Sequence, residues 1–187
     1  MDPSNRWGGS VGHVQDGAMS DDSAAAIRQE RRDWMAQHRD LYLQSGGTKG
    51  HIMDISEVGG HPFTTHCLIR VAGRKSGKTR IVPLIYGDIG GEVVIVASKG
   101  GADTHPDWYL NLRDGGEHVD VQIATQAFRA TWREPQDEER HRIWDFMVSV
   151  YPPYLSYQRS TTRHIPVVMI EPVEPIEVFR ESDLQSS

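Results

Sequence analysis

The chain has 187 residues, of which 37% are hydrophobic and 25% charged, a composition typical of a soluble globular domain. Its net charge of −6 at pH 7 argues against nucleic acid as a partner, because binding to a phosphate backbone favours a basic surface. One cysteine permits no internal disulfide and no apolar run reaches the ~20 residues of a membrane span, so we expect a cytoplasmic protein.

The N-terminal part of the chain divides into a polar segment and a helix. Residues 1–22 are rich in Gly, Ser and Asp, which predicts a disordered tail. A helix is expected over residues 23–45, where Ile27, Trp34 and Leu41 recur at intervals of seven, with Met35 and Tyr42 beside them, and give it one apolar stripe. We expect this stripe to pack on the rest of the protein, and peripheral contact with a membrane surface is the alternative.

From residue 63 onward the pattern is typical of β-strands, with short runs rich in Val, Ile, Thr and aromatic residues. Six runs have this character: TTHCLIRVA, RIVPLIY, EVVIVAS, HVDVQI, AFRATW and VVMI. Their short connections favour antiparallel pairing. We predict a mainly β (α+β) fold, a six-stranded antiparallel barrel with flanking helices, as a single domain over residues 23–180 that is followed by a flexible tail at residues 181–187.

Two helices are predicted between these strands. The first follows Pro106 in HPDWYLNLR, so its free N–H groups should face the glycine-rich loop at residues 99–101. The second begins in PQDEER, with acidic residues in its first turn, and should end before Pro152 and Pro153.

The segment GRKSGKTR, residues 73–80, is unusually basic. It resembles a phosphate-binding loop, but Gly73 and Gly77 enclose three residues where that loop requires four. Half of the segment is Arg or Lys, and residues 58–87 contain no Asp or Glu. A basic, acid-free segment in an acidic protein indicates an anion-binding site, and a solvated basic turn is the alternative.

Other kinds of site are less well supported by the residues. The nine histidines show none of the usual zinc spacings, and the single cysteine lies within a predicted strand, so we expect neither a metal site nor a cysteine nucleophile. What remains is a site for a flat ligand with an anionic group. It would combine the basic turn, the glycine-rich loop, the start of the following helix, and Tyr151, Tyr154 and Tyr157.

Three separated motifs carry a resemblance to a known family. GRKSGKTRIVPLIY, VVIVASKGGADTHPDWYLNL and YPPYLSYQ with TTRHIPVV resemble the deazaflavin-dependent nitroreductases, which use the reduced form of coenzyme F420. The resemblance covers about residues 50–172 and implies a split β-barrel related to flavin-binding oxidases of pyridoxine phosphate. It also implies hydride transfer to a quinone, nitroaromatic, nitroimidazole or enone acceptor. A flavin mononucleotide (FMN) oxidoreductase and a non-catalytic cofactor carrier or heme-binding relative remain alternatives.

The resemblance also implies roles for individual residues. The basic turn would bind the phosphate and the oligoglutamate tail of F420, while Ser98 and Tyr154 would lie beside the reacting ring as catalytic hydrogen-bond donors. At Asp107 many relatives carry an apolar residue. The cofactor-binding residues implied in this way are Arg74, Lys75, Ser76, Arg80, Ile81, Val82, Pro83, Leu84, Ile85, Val96, Ala97, Ser98, Lys99, Asp107, Trp108, Tyr109, Leu110, Asn111 and Tyr154.

Overall fold

The computed structural model of the protein describes residues 21–184, with side chains described at residue 26 and from residue 29 onward. The chain divides into two compact units between Asp33 and Trp34. Most of the tail predicted at the N-terminus, residues 1–20, therefore lies outside the described part. Within residues 21–184, no helix combines the length and the apolar composition needed to cross a membrane.

Six strands form a closed antiparallel barrel. Strands β2, β3, β4, β7, β6 and β5 pair in that order, and pairing between β5 and β2 closes the barrel. The predicted six-stranded antiparallel barrel is confirmed, and the two-residue strand β1 is an addition on β2. The strands are β1 (Ile52–Met53), β2 (Thr64–Ala72), β3 (Thr79–Ile89), β4 (Glu92–Val96), β5 (His118–Ile123), β6 (Gln126–Arg133) and β7 (Val167–Ile176).

Four α-helices flank the barrel in the described part of the chain. They are α1 (Asp21–Gln44), α2 (Asp107–Asp114), α3 (Asp137–Val150) and α4 (Tyr154–Arg159). The sequence did not indicate α4, because Pro152 and Pro153 were read only as the end of α3. Both prolines precede the first residue of α4, where the missing N–H leaves no helical bond unmade, so they separate two helices.

Three apolar clusters form the core of the barrel unit. The first fills the barrel and includes the α2 residues Trp108 and Leu112. The second packs α3 and α4 against β4 and β7. Here Gly87 allows close approach, since a Cβ at that position would lie 2.4 Å from a ring carbon of Phe146. The third joins α1 to the region after β7 and includes the fully buried Tyr42 and Phe179.

The buried face of α1 agrees with the predicted stripe only in part, because Tyr42 is buried and Met35 is half-buried, but Trp34 and Leu41 are not. Trp34 and Leu41 are 40% and 38% exposed, whereas His38 and Tyr42 are buried; the side chain of Ile27 lies outside the described set. His38 and Tyr42 are four residues apart and therefore share one face of the helix. The apolar spacing indicated Tyr42 but not His38, because a histidine does not contribute to an apolar pattern.

Hydrogen bonds explain why these two polar side chains can be buried. The Tyr42 hydroxyl accepts a hydrogen bond from the Ala124 N–H at 2.7 Å and donates to the His66 carbonyl at 3.2 Å. The Nε2 atom of His38 lies 2.7 Å from the Gly50 carbonyl, which requires it to carry the proton. These bonds offset the cost of removing the side chains from water.

The residues after β7 return to the barrel. Residues Glu181–Leu184 form a 3-10 helix, and Asp183 pairs with Arg70 at 2.9 Å. Arg70 also pairs with Asp120 at 2.8 Å and lies 4.5 Å above the ring of Phe179. The described part of the segment that was expected to be a flexible tail is thus held to β2 and β5.

Candidate cofactor site

The basic turn between β2 and β3 is a compact structure with free cations. Gly73 donates to the Lys78 carbonyl at 2.8 Å, and Gly77 has a φ of +68°, a conformation that favours glycine. Among the described residues, no carboxylate lies within 4.0 Å of the side-chain nitrogen atoms of Lys75, Lys78 or Arg80. Their charges are therefore available to an anionic ligand. Ser76 is exposed in the same turn.

Arg74 has a different role from the other cations of the turn. Its Nη1 atom lies 2.8 Å from Asn111 Oδ1 and its Nη2 atom 3.1 Å from Asp107 Oδ1. The backbone N–H of Arg74 also donates to Asn111 Oδ1 at 3.1 Å. Arg74 thus joins the turn to the first turn of α2, and a phosphate near it would share the guanidinium with a carboxylate.

The side chains of α2 face mainly into the barrel. Trp108 and Tyr109 are 7% and 5% exposed in the first cluster, and Leu110 packs against it. The Tyr109 hydroxyl donates to Glu134 at 2.6 Å; burial and then this bond raise the pKa of Tyr109. Toward the basic turn α2 therefore presents Asp107 and Asn111, while its aromatic residues fix the helix in place.

One edge of β3 lacks a partner strand over its first half. Residues 79–85 pair with β2, but β4 pairs only with residues 86–89, so the two strands diverge beyond that point. The side chains of this first half pack into the protein or are half-buried: Ile81, Val82, Pro83, Leu84 and Ile85. Any ligand along this edge would meet the backbone, from which Pro83 removes one donor.

The loop after β4 has an unusual backbone. Lys99, Gly100 and Gly101 all have positive φ, at 49°, 64° and 79°. The Lys99 ammonium group donates to the Thr104 hydroxyl at 2.9 Å, which ties the loop to the segment before α2. Val96 and Ala97 are buried ahead of the loop, so at this end of β4 the residues that reach the surface are Ser98 and Lys99.

Arg163 lies behind this loop, and sequence reasoning gave it no role. Its guanidinium donates to the carbonyls of Ala97 at 3.1 Å, Ser98 at 2.6 Å and Ala102 at 2.6 Å. It also lies 3.3 Å from His105 Nδ1. The only signal in the sequence was its place within TTRHIPVV, one of the motifs that carry the resemblance.

Helix α4 meets the same loop from the other side. A Cβ at Gly101 would lie 2.1 Å from Ser160 Oγ and 2.7 Å from the Tyr157 carbonyl oxygen, so the backbones approach closely. The basic turn, α2, the loop and α4 are therefore joined in one continuous strip of contacts. Each of these contacts joins one pair of neighbouring segments.

Tyr154 is the first residue of α4 and is buried. It is 4% exposed, and its ring centroid lies 5.0 Å from that of Tyr151 and 6.3 Å from those of Tyr157 and Trp144. Burial is the main cause that raises the pKa of the Tyr154 hydroxyl, which therefore stays protonated at neutral pH.

The Tyr154 hydroxyl is less engaged than its neighbour. The hydroxyls of Tyr151 and Tyr157 lie 3.2 Å apart, whereas no hydrogen bond joins the Tyr154 hydroxyl to a described residue. Among described side chains, the one fully buried polar atom without a partner is His38 Nδ1. The Tyr154 oxygen is therefore not fully enclosed by the described residues. The Ser98 hydroxyl likewise has no hydrogen-bond partner within residues 21–184, so both groups can donate to a ligand.

Two surface cavities lie beside the strip. One, of about 250 Å³, is lined by Asn111, Leu112 and residues of β2 and β5. The other, of about 220 Å³, is lined by His105, Tyr109 and residues at the start of α3. Neither is lined by the basic turn, Ser98 or Tyr154.

Comparison with known proteins finds similar sequences over most of the chain. The sequence model described as "F420H(2)-dependent quinone reductase" matches residues 34–172. An F420H(2)-dependent quinone reductase of Mycobacterium tuberculosis is 31% identical over 136 residues, which cover 71% of this chain and 86% of that relative.

Solved structures give similar matches. A structure of the F420-H2 dependent reductase FDR-A is 42% identical, with a TM-score of 0.52, and the match covers 57% of this chain and 93% of that one. A second structure, described as a domain-swapped dimer, is 35% identical, with a TM-score of 0.55 and coverage of 79% and 98%.

Proposed function

The chain belongs to the F420H(2)-dependent quinone reductase family, and we propose that it transfers a hydride from reduced F420 to a quinone. It is an F420-dependent oxidoreductase. We extend the proposal to nitroaromatic, nitroimidazole and enone acceptors, since each is an electron-poor conjugated system that can accept a hydride.

The observation that carries this proposal is the charge of the basic turn. Lys75, Lys78 and Arg80 have no acidic partner among the described residues, although the whole chain has a net charge of −6. F420 carries a phosphate and an oligoglutamate tail, which supply several negative charges. The three cations would bind that tail, and the guanidinium of Arg80 can bind a phosphate or carboxylate through two parallel hydrogen bonds.

The rest of the strip would orient the cofactor. The unpaired edge of β3 offers backbone groups along residues 79–85, and the first N–H groups of α2 favour a negatively charged oxygen. When bound, reduced F420 supplies the hydride. The protein's task is then to hold the acceptor close to it and to exclude other reactions.

We propose that Ser98 and Tyr154 are the hydrogen-bond donors to the acceptor. Both hydroxyls lack a partner among the described residues, and burial keeps the Tyr154 phenol protonated. Either could donate to an acceptor oxygen on which negative charge develops, and this interaction is stronger in the transition state than with the neutral ground state.

The proposal is tested by anaerobic oxidation of reduced F420 with a panel of one quinone, one nitroaromatic and one enone. We expect turnover with the quinone, and the same assay with reduced FMN should give little. A protein that binds F420 but turns over none of the acceptors would be a cofactor carrier. Faster turnover with reduced FMN would favour the flavin enzyme.

A further inference from the structure

The loop at residues 98–102 has a conformation that its sequence alone does not favour. Lys99 has a φ of 49°, a region that residues with a side chain rarely adopt. Two glycines follow it with the same sign of φ. Such a loop needs contacts from elsewhere in the fold to keep one shape.

Arg163 provides contacts of the required kind. Its guanidinium donates to the carbonyls of Ala97, Ser98 and Ala102, at 3.1, 2.6 and 2.6 Å. Its fourth neighbour is His105 Nδ1 at 3.3 Å, just before α2. A planar group with five N–H donors can hold several acceptors at once, whereas a lysine ammonium at the same place has a single nitrogen atom.

The N–H groups of the loop are left free by this arrangement. Ser98 is in the right-handed helical region and Lys99 has positive φ, and this alternation turns successive N–H groups into a concave anion-binding nest. The carbonyls of Ser98 and Lys99 accept from the N–H groups of residues 101 and 102. Among the described residues, no backbone carbonyl accepts from the N–H groups of residues 98, 99 and 100.

We propose that Arg163 is a positioning residue for cofactor binding. It holds three loop carbonyls so that the N–H groups of residues 98–100 are presented together to an anionic oxygen of F420. This inference rests on the proposed function and adds to it a residue that would act without touching the cofactor.

The test uses Arg163→Ala and Arg163→Lys in the full chain, with Arg159→Ala as a matched control. Arg159 is an exposed arginine on α4 for which no hydrogen bond or ion pair is present in the described part of the chain. In the free protein, we expect amide hydrogen exchange at residues 97–102 to be at least about tenfold faster in both Arg163 variants. The control should match the wild type.

Cofactor affinity gives a second readout, measured by fluorescence titration with F420. We expect the dissociation constant to rise roughly 10- to 100-fold in both Arg163 variants, since hydrogen bonds to a charged group are among the stronger ones. Millimolar guanidinium, compared with equal sodium chloride, should restore part of the affinity of Arg163→Ala. If Arg163 only stabilised the fold, guanidinium would not restore F420 affinity to Arg163→Ala without also raising its melting temperature.

Two outcomes would overturn the proposal. One is wild-type hydrogen exchange at residues 97–102 in a folded Arg163 variant. The other is unchanged F420 affinity in that variant. If Arg163→Ala does not fold, both measurements are made on Arg163→Lys, which keeps the charge. Failure of the wild-type protein to bind F420 would contradict the proposed function instead, and the exchange measurement on the free protein would still decide whether Arg163 shapes the loop.

Discussion

Among single residues, Tyr151, Tyr154 and Tyr157 differ in the hydrogen-bond partners of their hydroxyls. The hydroxyls of Tyr151 and Tyr157 lie within hydrogen-bond distance of each other, whereas the Tyr154 hydroxyl has no hydrogen-bond partner among the described residues. The sequence alone grouped the three in one candidate site, and the family resemblance then singled out Tyr154. Neither could give the hydroxyl partners, because these depend on packing between α3, α4 and residues before β2.

Tyr154→Phe tests the role of this hydroxyl. The change keeps the aromatic ring and removes the donor, so F420 affinity should stay within about twofold. Turnover of a quinone should fall roughly ten- to a thousandfold, the effect of losing one hydrogen bond to developing charge. Steady-state kinetics decide the matter, with Tyr157→Phe as the control. Full activity in Tyr154→Phe would leave Tyr154 a packing role only and move the donor to Ser98.

The free cations of the basic turn are tested by charge reversal. Lys75→Glu and Arg80→Glu should each raise the dissociation constant of F420 about tenfold or more, because each loses an ion pair and adds repulsion. The exposed Lys49, distant in sequence from the turn, gives the matched control Lys49→Glu. Fluorescence titration at low salt measures all three. If both turn variants bound F420 as tightly as the wild type, the oligoglutamate tail of F420 would have to bind outside the basic turn.

At the scale of elements, the sequence predicted the long features and missed the short or polar ones. All six barrel strands were recognisable from β-branched runs, and each is present. Strand β1 has two residues and carries no periodic signal. Helix α4 follows two prolines, and by helix propensity prolines indicate the end of a helix rather than the start of another. The buried face of α1 depends on the His38 bond to Gly50, a contact between residues 12 positions apart that no spacing rule reveals.

The contact between α4 and the loop is an element-scale feature that Gly101→Ala should disrupt. The new Cβ would lie 2.7 Å from a backbone carbonyl oxygen, so the loop and α4 must move apart. We expect a loss of about 1–3 kcal/mol in stability, together with weaker F420 binding. Gly90→Ala is the control: Gly90 has a similar φ of +64°, but its Cβ would meet no atom within 4 Å.

Chemical denaturation of both glycine variants separates two effects. Backbone strain at positive φ is common to both, whereas the clash with α4 belongs to Gly101. Equal destabilisation in the two variants would show that the close approach of α4 contributes nothing.

At the scale of the whole molecule, stability should depend on pH through the buried histidines. His66 is 2% exposed, and burial, followed by the charge of neighbouring His38, lowers its pKa to about 3. Burial also lowers the pKa of His38. Both side chains are neutral in the folded state at pH 7, while in the unfolded chain they take up protons below pH ~6.5.

The sign of the effect follows from these pKa values. Because the unfolded chain binds more protons between pH ~6.5 and 3, the free energy of unfolding is greatest above pH ~6.5 and falls as the pH drops. His66 alone should account for about 2 kcal/mol between pH 7 and pH 5. Urea denaturation across this range measures the slope, and His66→Gln should reduce it. A slope that His66→Gln leaves unchanged would assign the effect to other groups.

We propose that the strip binds F420 through the free cations of an otherwise acidic protein. Titration of the wild-type protein with F420 and with FMN, at low and at physiological salt, tests it most directly. We predict tighter binding of F420 at low salt, and a loss of that preference as salt screens the tail over about 8 Å. Equal affinity for the two cofactors at low salt, or binding of F420 that salt does not weaken, would contradict the account.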